Sequence, residues 1–540
     1  MTGALARALF ASALVLSLAS CGARSAETRD PNIVIAAWIA GPVGFNRLTS
    51  VSSASKMVSQ LIFTPLVDLD AKMLPRWSSS LATGIDIDDG GRRYVVHLRP
   101  ARWSDGAPLD ARDVVFTLLL QANTDVIPGT ASDFTLMSSA RALDARTVEI
   151  RLSRPSPPFL LNALGETFPL PVHLLGKHPA GSRAEADFIN RDSDFAQNPL
   201  VSGPFRIARN VPDAYMIFER NPSYWGPPAR LPRIGFRVYP QQNSLYAAVD
   251  AGEVDVTSIP PQLWRVHDRL RGNHRFVTWP WNVCFMLLPN FADSQIAFIR
   301  DPIVRRAMLY AINRTFITQG IMDGQADVLD GPLPSFSPYF DKHLPSYGFD
   351  PAKARALLEA DGWHLHGDVR MKNGVALRIT LKTGGATDAV ASDIAELIQE
   401  NLHAVGIECA LENEELQTFF QDIQQSKFEL ALRGRILQPY PDDFRDYDSS
   451  QTSKVGGSNY GSVAIPALDR AMRDARTATS PAASRAALDR YQEVGAAQLP
   501  VLYLYSNKLA AVVPRNLYGL GLSPLSAAAL PQDVQFWYRQ

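Results

Sequence analysis

This chain is poor in cysteine, has no excess of either charge, and holds no long apolar run after its first residues. Its only cysteines are Cys21, Cys284 and Cys409, too few for a fold stapled by several disulfides. Lys and Arg total 53 against 54 Asp and Glu, a formal net charge of −1. That balance excludes the broad basic surface that nucleic acid or an anionic lipid face requires. Past the first twenty residues no uncharged apolar stretch reaches the about 20 residues a membrane-crossing helix needs. Catalytic motifs are missing as well. Gly456-Gly-Ser-Asn-Tyr-Gly has the wrong spacing for a nucleophile elbow, and Gly176-Lys-His-Pro lacks the phosphate-loop pattern. There is no His-Glu-x-x-His and no Cys-x-x-Cys. His364 and His366 are the only close pair among nine histidines, and they read as a turn after a helix. No enzyme chemistry, metal or cofactor is expected.

The beginning of the chain points to export. Arg7 precedes the apolar run Ala8–Leu18, and Leu18-Ala-Ser-Cys21 follows with Gly22 behind it. A short positive region, a short greasy core and small residues before a cleavage point describe a secretory signal, here residues 1–20. A cysteine directly after Leu-Ala-Ser resembles a bacterial lipobox, in which the thiol takes a diacylglycerol; the alternative is an ordinary cleaved signal. The expectation is an extracytoplasmic protein, in the periplasm or at the cell surface. Cys21 is its lipid attachment and the small, polar residues 21–31 are a tether.

The rest mixes α and β, without visible repeats. Asn32–Ile39 reads as a strand. Residues 92–99 alternate as a strand behind the turn Asp88-Asp-Gly-Gly91. Asp110 is placed to cap a helix through Val114 and Leu118. Asp301-Pro302 and Asp350-Pro351 open two more helices, since proline suits the first helical turn. A further helix through Ile394, Ile398 and Leu402 ends at Gly406, and strand Ile407–Leu411 follows. Residues 151–232 read as loops and short strands. Helices alternating with strands after residue 285 suggest α/β units. Cys284 and Cys409 both lie in apolar runs that read as buried strands, as two free thiols or as one bridge.

Several separated motifs occur in one order: Leu61-Ile-Phe-Thr-Pro-Leu-Val, Tyr94-Val-Val-His-Leu-Arg, Trp103-Ser-Asp-Gly-Ala-Pro-Leu-Asp-Ala-Arg-Asp-Val, Ser202-Gly-Pro-Phe, Asn221-Pro-Ser-Tyr-Trp-Gly and Asp301-Pro-Ile-Val-Arg-Arg-Ala. Together they resemble bacterial solute-binding protein family 5, the oligopeptide- and dipeptide-binding lipoproteins of ABC importers. The resemblance spans about residues 32–530. It implies an α/β, two-lobed periplasmic-binding-protein fold (type II, the large three-domain peptide-binding class) with a hinge between lobes. By the order of motifs, residues 32–61, 199–285 and 501–540 form a discontinuous first-lobe domain. Residues 62–198 form a domain inserted in it, and 286–500 the second lobe. Hinge strands are expected near Asn282–Leu288 and Leu502–Ser506.

The resemblance also implies a function: capture of a peptide or peptide-like solute between the lobes and delivery to ABC permease subunits by a monomer held to the membrane only through its lipid. Two alternatives stay open. One is a sensing module that signals to a receptor; the other is a binder of a non-peptide solute such as an anionic compound or a metal chelate. Relatives commonly pin the ligand's amine with an aspartate after a Trp-x-Gly-like turn. The matching segment here is Leu432-Arg433-Gly434-Arg435-Ile436-Leu437, ahead of Pro441-Asp-Asp-Phe444, and it offers no acid. Arg435, with Arg433 beside it, either faces the cleft and favours a carboxylate or phosphate, or points to solvent or pairs with a carboxylate such as Asp442. Trp38, Trp281 and Tyr460 are aromatic candidates for the cleft, or core residues.

Overall fold

The computed structural model describes residues 33–540 apart from 51, 124, 126–132, 192, 261–273, 386–388 and 527–529. The signal peptide, Cys21 and the tether lie outside the described residues.

Side chains at the helix starts do what their sequence positions suggest. Asp110 accepts from the Arg112 amide while Asp113 accepts from the Asp110 amide, a reciprocal cap for helix Ala111–Ala122. Asp301 caps Pro302–Ala311 and Asp350 caps Pro351–Ala360. Gly406, at φ +85°, ends the turn after helix Ala389–His403 in a backbone shape that suits glycine.

The first lobe contains two four-stranded sheets. One orders Ile33–Trp38, Arg233–Val238, Tyr215–Arg220 and Phe205–Val211; the other orders Ala82–Asp88, Arg93–Leu98, Thr147–Leu152 and Met137–Asp144. A single apolar core that includes Trp103, Phe159, Phe218 and Trp537 runs through both. Residues 151–232 are more helical than their prolines suggest. They contain helix Arg183–Arg191, which buries Ala186 and Ile189, and the wide turn Phe159–Ala163. Phe159–Ala163 is too short to show a period, whereas Arg183–Arg191 sets Ala186 and Ile189 three apart on one buried face, a helical signal that the prolines around it outweigh.

The second lobe has its own core, from Cys284 to Tyr505. Parallel strands Arg378–Thr383, Glu408–Asn413 and Leu430–Ile436 form its sheet, with helix Ala389–His403 connecting the first two. Two long strands run from one lobe into the other, His274–Pro289 outward and Leu502–Pro514 back. Their ladder breaks where the cores change. Pro280 pairs with Lys508 and Cys284 with Ser506, so residues 281–283 stand opposite Asn507 alone. Such an irregularity interrupts the main-chain bonds and bends the strand.

Cys284 and Cys409 are buried free thiols. They sit on strands separated by two others, roughly 14 Å at about 4.8 Å per step, beyond reach of a bridge. Burial pushes both thiols up to about 12.

Candidate functional site

Strand directions locate the cleft. His274–Pro289 runs from the first lobe into the second, and Leu430–Ile436 pairs with it antiparallel, so that strand points back at the first lobe. Its parallel neighbours point the same way. In the first lobe, Ile33–Trp38 runs parallel to the segment around Val256, which continues into Thr257–Ser258, antiparallel to Leu502–Pro514. Ile33–Trp38 and its parallel partner Arg233–Val238 therefore point at the second lobe. Each lobe aims the carboxyl ends of parallel strands at the other, the place where open α/β sheets hold ligands.

One strand offers an open edge there. The Leu437 amide donates to the Asn282 carbonyl at 2.7 Å, and Asn282 Nδ2 donates to the Leu437 carbonyl at 3.1 Å. Residues 435 and 433 share the parity of 437, so they too exchange main-chain bonds with the crossing strand. Gly434 and Ile436 then turn their N–H and C=O groups to the other edge. Among the described residues, the neighbouring strand on that side pairs only as far as Thr383 with Leu432. Gly434 is exposed, and Ile436 is 66 % exposed although it lies in a sheet. A side chain at 434 would bring its Cβ within 3.3 Å of Phe285 and Val283, so glycine keeps this stretch low. Phe285 stacks on Tyr505 at 4.9 Å beside it. An unpaired strand edge with an open, apolar flank accepts an extended chain as one more strand.

Arg435 has the second of the two expected settings, with Asp443 as the carboxylate in place of Asp442. Its side chain lies on the opposite face from Gly434 and Ile436 and is 4 % exposed. The guanidinium pairs with Asp443, donates to the Pro332 carbonyl at 3.1 Å and lies 5.8 Å from the Tyr447 ring centre. Asp443 also accepts from the Tyr491 hydroxyl. The charge is thus matched inside the second lobe rather than offered to a solute. Arg433 is half-buried on the same face and makes no ion pair among the described residues.

The aromatic candidates divide. Trp38, 4 % exposed, stacks on Phe236 at 4.3 Å as a core residue under the strand end, while Ile39 and Val43 beyond it are exposed. Trp281 is half-buried against the first-lobe core, within the ladder break. Tyr460 sits at the other end of the second-lobe sheet, where its carbonyl accepts from Ser426 and Gly461 holds Phe291; it is not brought to the cleft. The sequence places Asn282 at a hinge strand and Gly434 in the segment matching the relatives' turn, but carries no sign of the open edge at Gly434 and Ile436, because strand parity and the end of the neighbouring strand decide it.

A cavity of ≈ 110 Å³ lies wholly in the first lobe, lined by Arg47, Arg76, Asp68, Glu166 and Asp533 among others. Its charges are spent on each other. Arg76 holds Asp533 by two bonds of 2.8 and 2.6 Å and Asp68 by another, and Arg47 pairs with Glu166. Burial is the main force raising Asp68 above the ordinary carboxylate range. The arrangement ties segments of the lobe together. Among the described residues no cluster of three or more His, Cys, Asp or Glu could hold a metal ion. No helix among them is long and apolar enough to cross a membrane.

Comparison with known proteins agrees with the two-lobed fold. A family model described as bacterial extracellular solute-binding proteins, family 5 Middle, matches residues 76–458. The oligopeptide-binding protein AppA of Bacillus subtilis is 27 % identical over 493 residues, 90 % of this chain and 88 % of that protein. The structure of AppA in complex with a nonapeptide superposes with a TM-score of 0.73 at 25 % identity, over 94 % of this chain and 99 % of AppA. The Campylobacter jejuni protein NikZ in complex with Ni(L-His) superposes with a TM-score of 0.76 at 23 % identity, over 94 % of this chain and all of that one.

Proposed function

The chain belongs to the bacterial extracellular solute-binding proteins of family 5, and from that premise we propose that it captures a peptide or peptide-like solute between its lobes and hands it, unchanged, to the permease of an ABC importer. The observation that carries the reading is the open edge at Gly434 and Ile436, set at the carboxyl ends of the second-lobe strands. Main-chain bonds to that edge give affinity without demanding a particular sequence, and the exposed apolar flank takes side chains. The relative that holds a nonapeptide supports an extended chain as the solute.

Closure follows from contacts. A solute touching both lobes favours the state in which it touches both, and the interrupted ladder at 281–283 is where the crossing strands can bend. Selection by charge does not rest on Arg435, whose partner is Asp443. Leu18-Ala-Ser-Cys21 supports anchoring by lipid on Cys21, and we read the protein as a monomer with no catalytic role.

Native mass spectrometry of protein purified from its own host, followed by calorimetric titration with the species it carries and with a random nonapeptide pool, tests the proposal. Co-purified peptide and saturable heat with the pool are expected. A metal chelate as cargo, with no heat from the pool, overturns the peptide reading in favour of the chelate bound by relatives such as NikZ.

A further inference from the structure

The lobes touch at a second place besides the crossing strands. Asn162 lies in the wide turn Phe159–Ala163 of the first lobe, whose i to i+5 bonds are rare and cluster at functional positions. Its side-chain amide meets the main chain of Tyr440, in the second lobe just past the open-edged strand. Nδ2 donates to the Tyr440 carbonyl at 3.0 Å, and the Tyr440 amide donates to Oδ1 at 2.9 Å. Leu161 is buried with Tyr440, Ala475 and Leu488 in a small apolar patch made from both lobes. The Tyr440 ring is itself held, because its hydroxyl donates to the Ala475 carbonyl at 2.9 Å and lies 2.8 Å from Ser484 Oγ. One amide side chain thus satisfies both polar groups of a single peptide position on the opposite lobe.

Beside this contact stands a cluster of charges, two carboxylates that Arg476 pairs with directly and that the exposed Arg154 acts on from farther off. Asp133 of the first lobe and Asp442 of the second both pair with Arg476, at 3.9 and 3.2 Å. The three side chains are 13, 11 and 8 % exposed. Asp133 Oδ1 is buried with no hydrogen-bond partner among the described residues.

We propose that Asn162 and the Tyr440 main chain form a clasp that holds the lobes shut, and that the facing carboxylates Asp133 and Asp442 make shutting it depend on a proton. The inference rests on the two-lobed binding reading above. Among the described residues, Arg476, Arg154 and Tyr94 are the other charged or titratable groups that act on Asp133, and Arg476, Arg154, Asp446 and Tyr440 act on Asp442. Burial first, and Asp442 second, push Asp133 up to about 6; burial likewise raises Asp442. Opening the lobes returns Asp133 to water and to about 3.9. Closing therefore takes up a proton between those two values. The clasp is strongest at low pH, weakens as pH rises from about 4 to about 6 by at most about tenfold per unit, and is level above that.

Hydrogen exchange of the full chain reads the clasp directly, because the Tyr440 amide is one of its donors. Protection is taken relative to the intrinsic rate at each pH. In Asn162→Ala, protection at Tyr440 is expected to fall about tenfold, the weight of two lost hydrogen bonds. Strand Arg93–Leu98 should keep its protection. In wild type, Tyr440 protection should rise as pH falls through 6, and Asp133→Asn, nearly the same shape, should hold it higher at pH 6 and make the rise shallower, Asp442 supplying what remains. Unchanged Tyr440 protection in Asn162→Ala overturns the clasp. A level wild-type profile overturns the proton dependence. If Asn162→Ala loosens Arg93–Leu98 as well, Asp133→Asn decides, and unaltered Tyr440 protection in it overturns the proposal. A clasp that behaves as described in a protein drawing no heat from the nonapeptide pool leaves the clasp standing and removes the peptide reading.

Discussion

Asp442 and Asp443 are neighbours in the chain and their carboxylates face opposite ways. Asp443 turns into the second lobe, where Arg435 and the Tyr491 hydroxyl meet it and all three groups belong to one rigid body. Asp442 turns to the boundary, where it competes with Asp133 of the other lobe for Arg476. Charge matched within a lobe is indifferent to lobe movement. Charge shared across the boundary changes its surroundings whenever the lobes part. Burial alone does not separate the two, since both side chains are about nine-tenths covered; what differs is which body supplies the partner.

The sharpest break of this contrast is Asp443→Ala. It strands the Arg435 guanidinium in the interior, so a loss of about 3–5 kcal/mol is expected in urea unfolding. Replacing Arg435 and Asp443 together with apolar residues should cost much less than Asp443→Ala alone. Tyr491→Phe comes next. It removes one hydroxyl donor to a carboxylate and should cost about 1.5–3 kcal/mol by the same measurement. Asp442→Asn should cost about 1 kcal/mol or less, because Arg476 keeps Asp133. It should also flatten part of the pH dependence. The folded chain holds a proton on Asp133 and Asp442 more tightly than the unfolded chain, so their contribution to stability falls as pH rises from about 4 to about 6; thermal melts across that window should show the difference between wild type and Asp442→Asn shrinking as pH rises. Ile436→Ala, at the open edge, should leave stability within about 0.5 kcal/mol and weaken only the binding of peptide, seen by calorimetry.

Much of the scaffold could be read from residues whose effects are local. Asp110, Asp301 and Asp350 cap helices through bonds to amides two or three positions away, so a short window of sequence suffices. The two-lobed fold was legible through motifs that are mostly turns and caps. The site was less so, because it depends on parity and on endings. An alignment shift of a single residue around Gly434 moves a side chain from the open face to the buried one, and Arg435 fell on the buried side. Tyr460 occupies a turn-rich loop much like those that line clefts, but the loop closes the far end of the sheet. Asn162 had no signal at all, since its partner is a main chain 278 residues away.

The fork between Arg76 and Asp533 joins residues 457 positions apart, and the first-lobe core reaches from Val34 to Trp537. The second-lobe core is gathered from one uninterrupted stretch, Cys284 to Tyr505. As the chain emerges, then, the lobe that begins first is completed second: its opening strands wait while the whole of the second lobe is made, and residues around Asp533 and Trp537 set the closing wall. A chain that stopped before Asp533 would carry a complete second lobe and a first lobe that lacks its keystone.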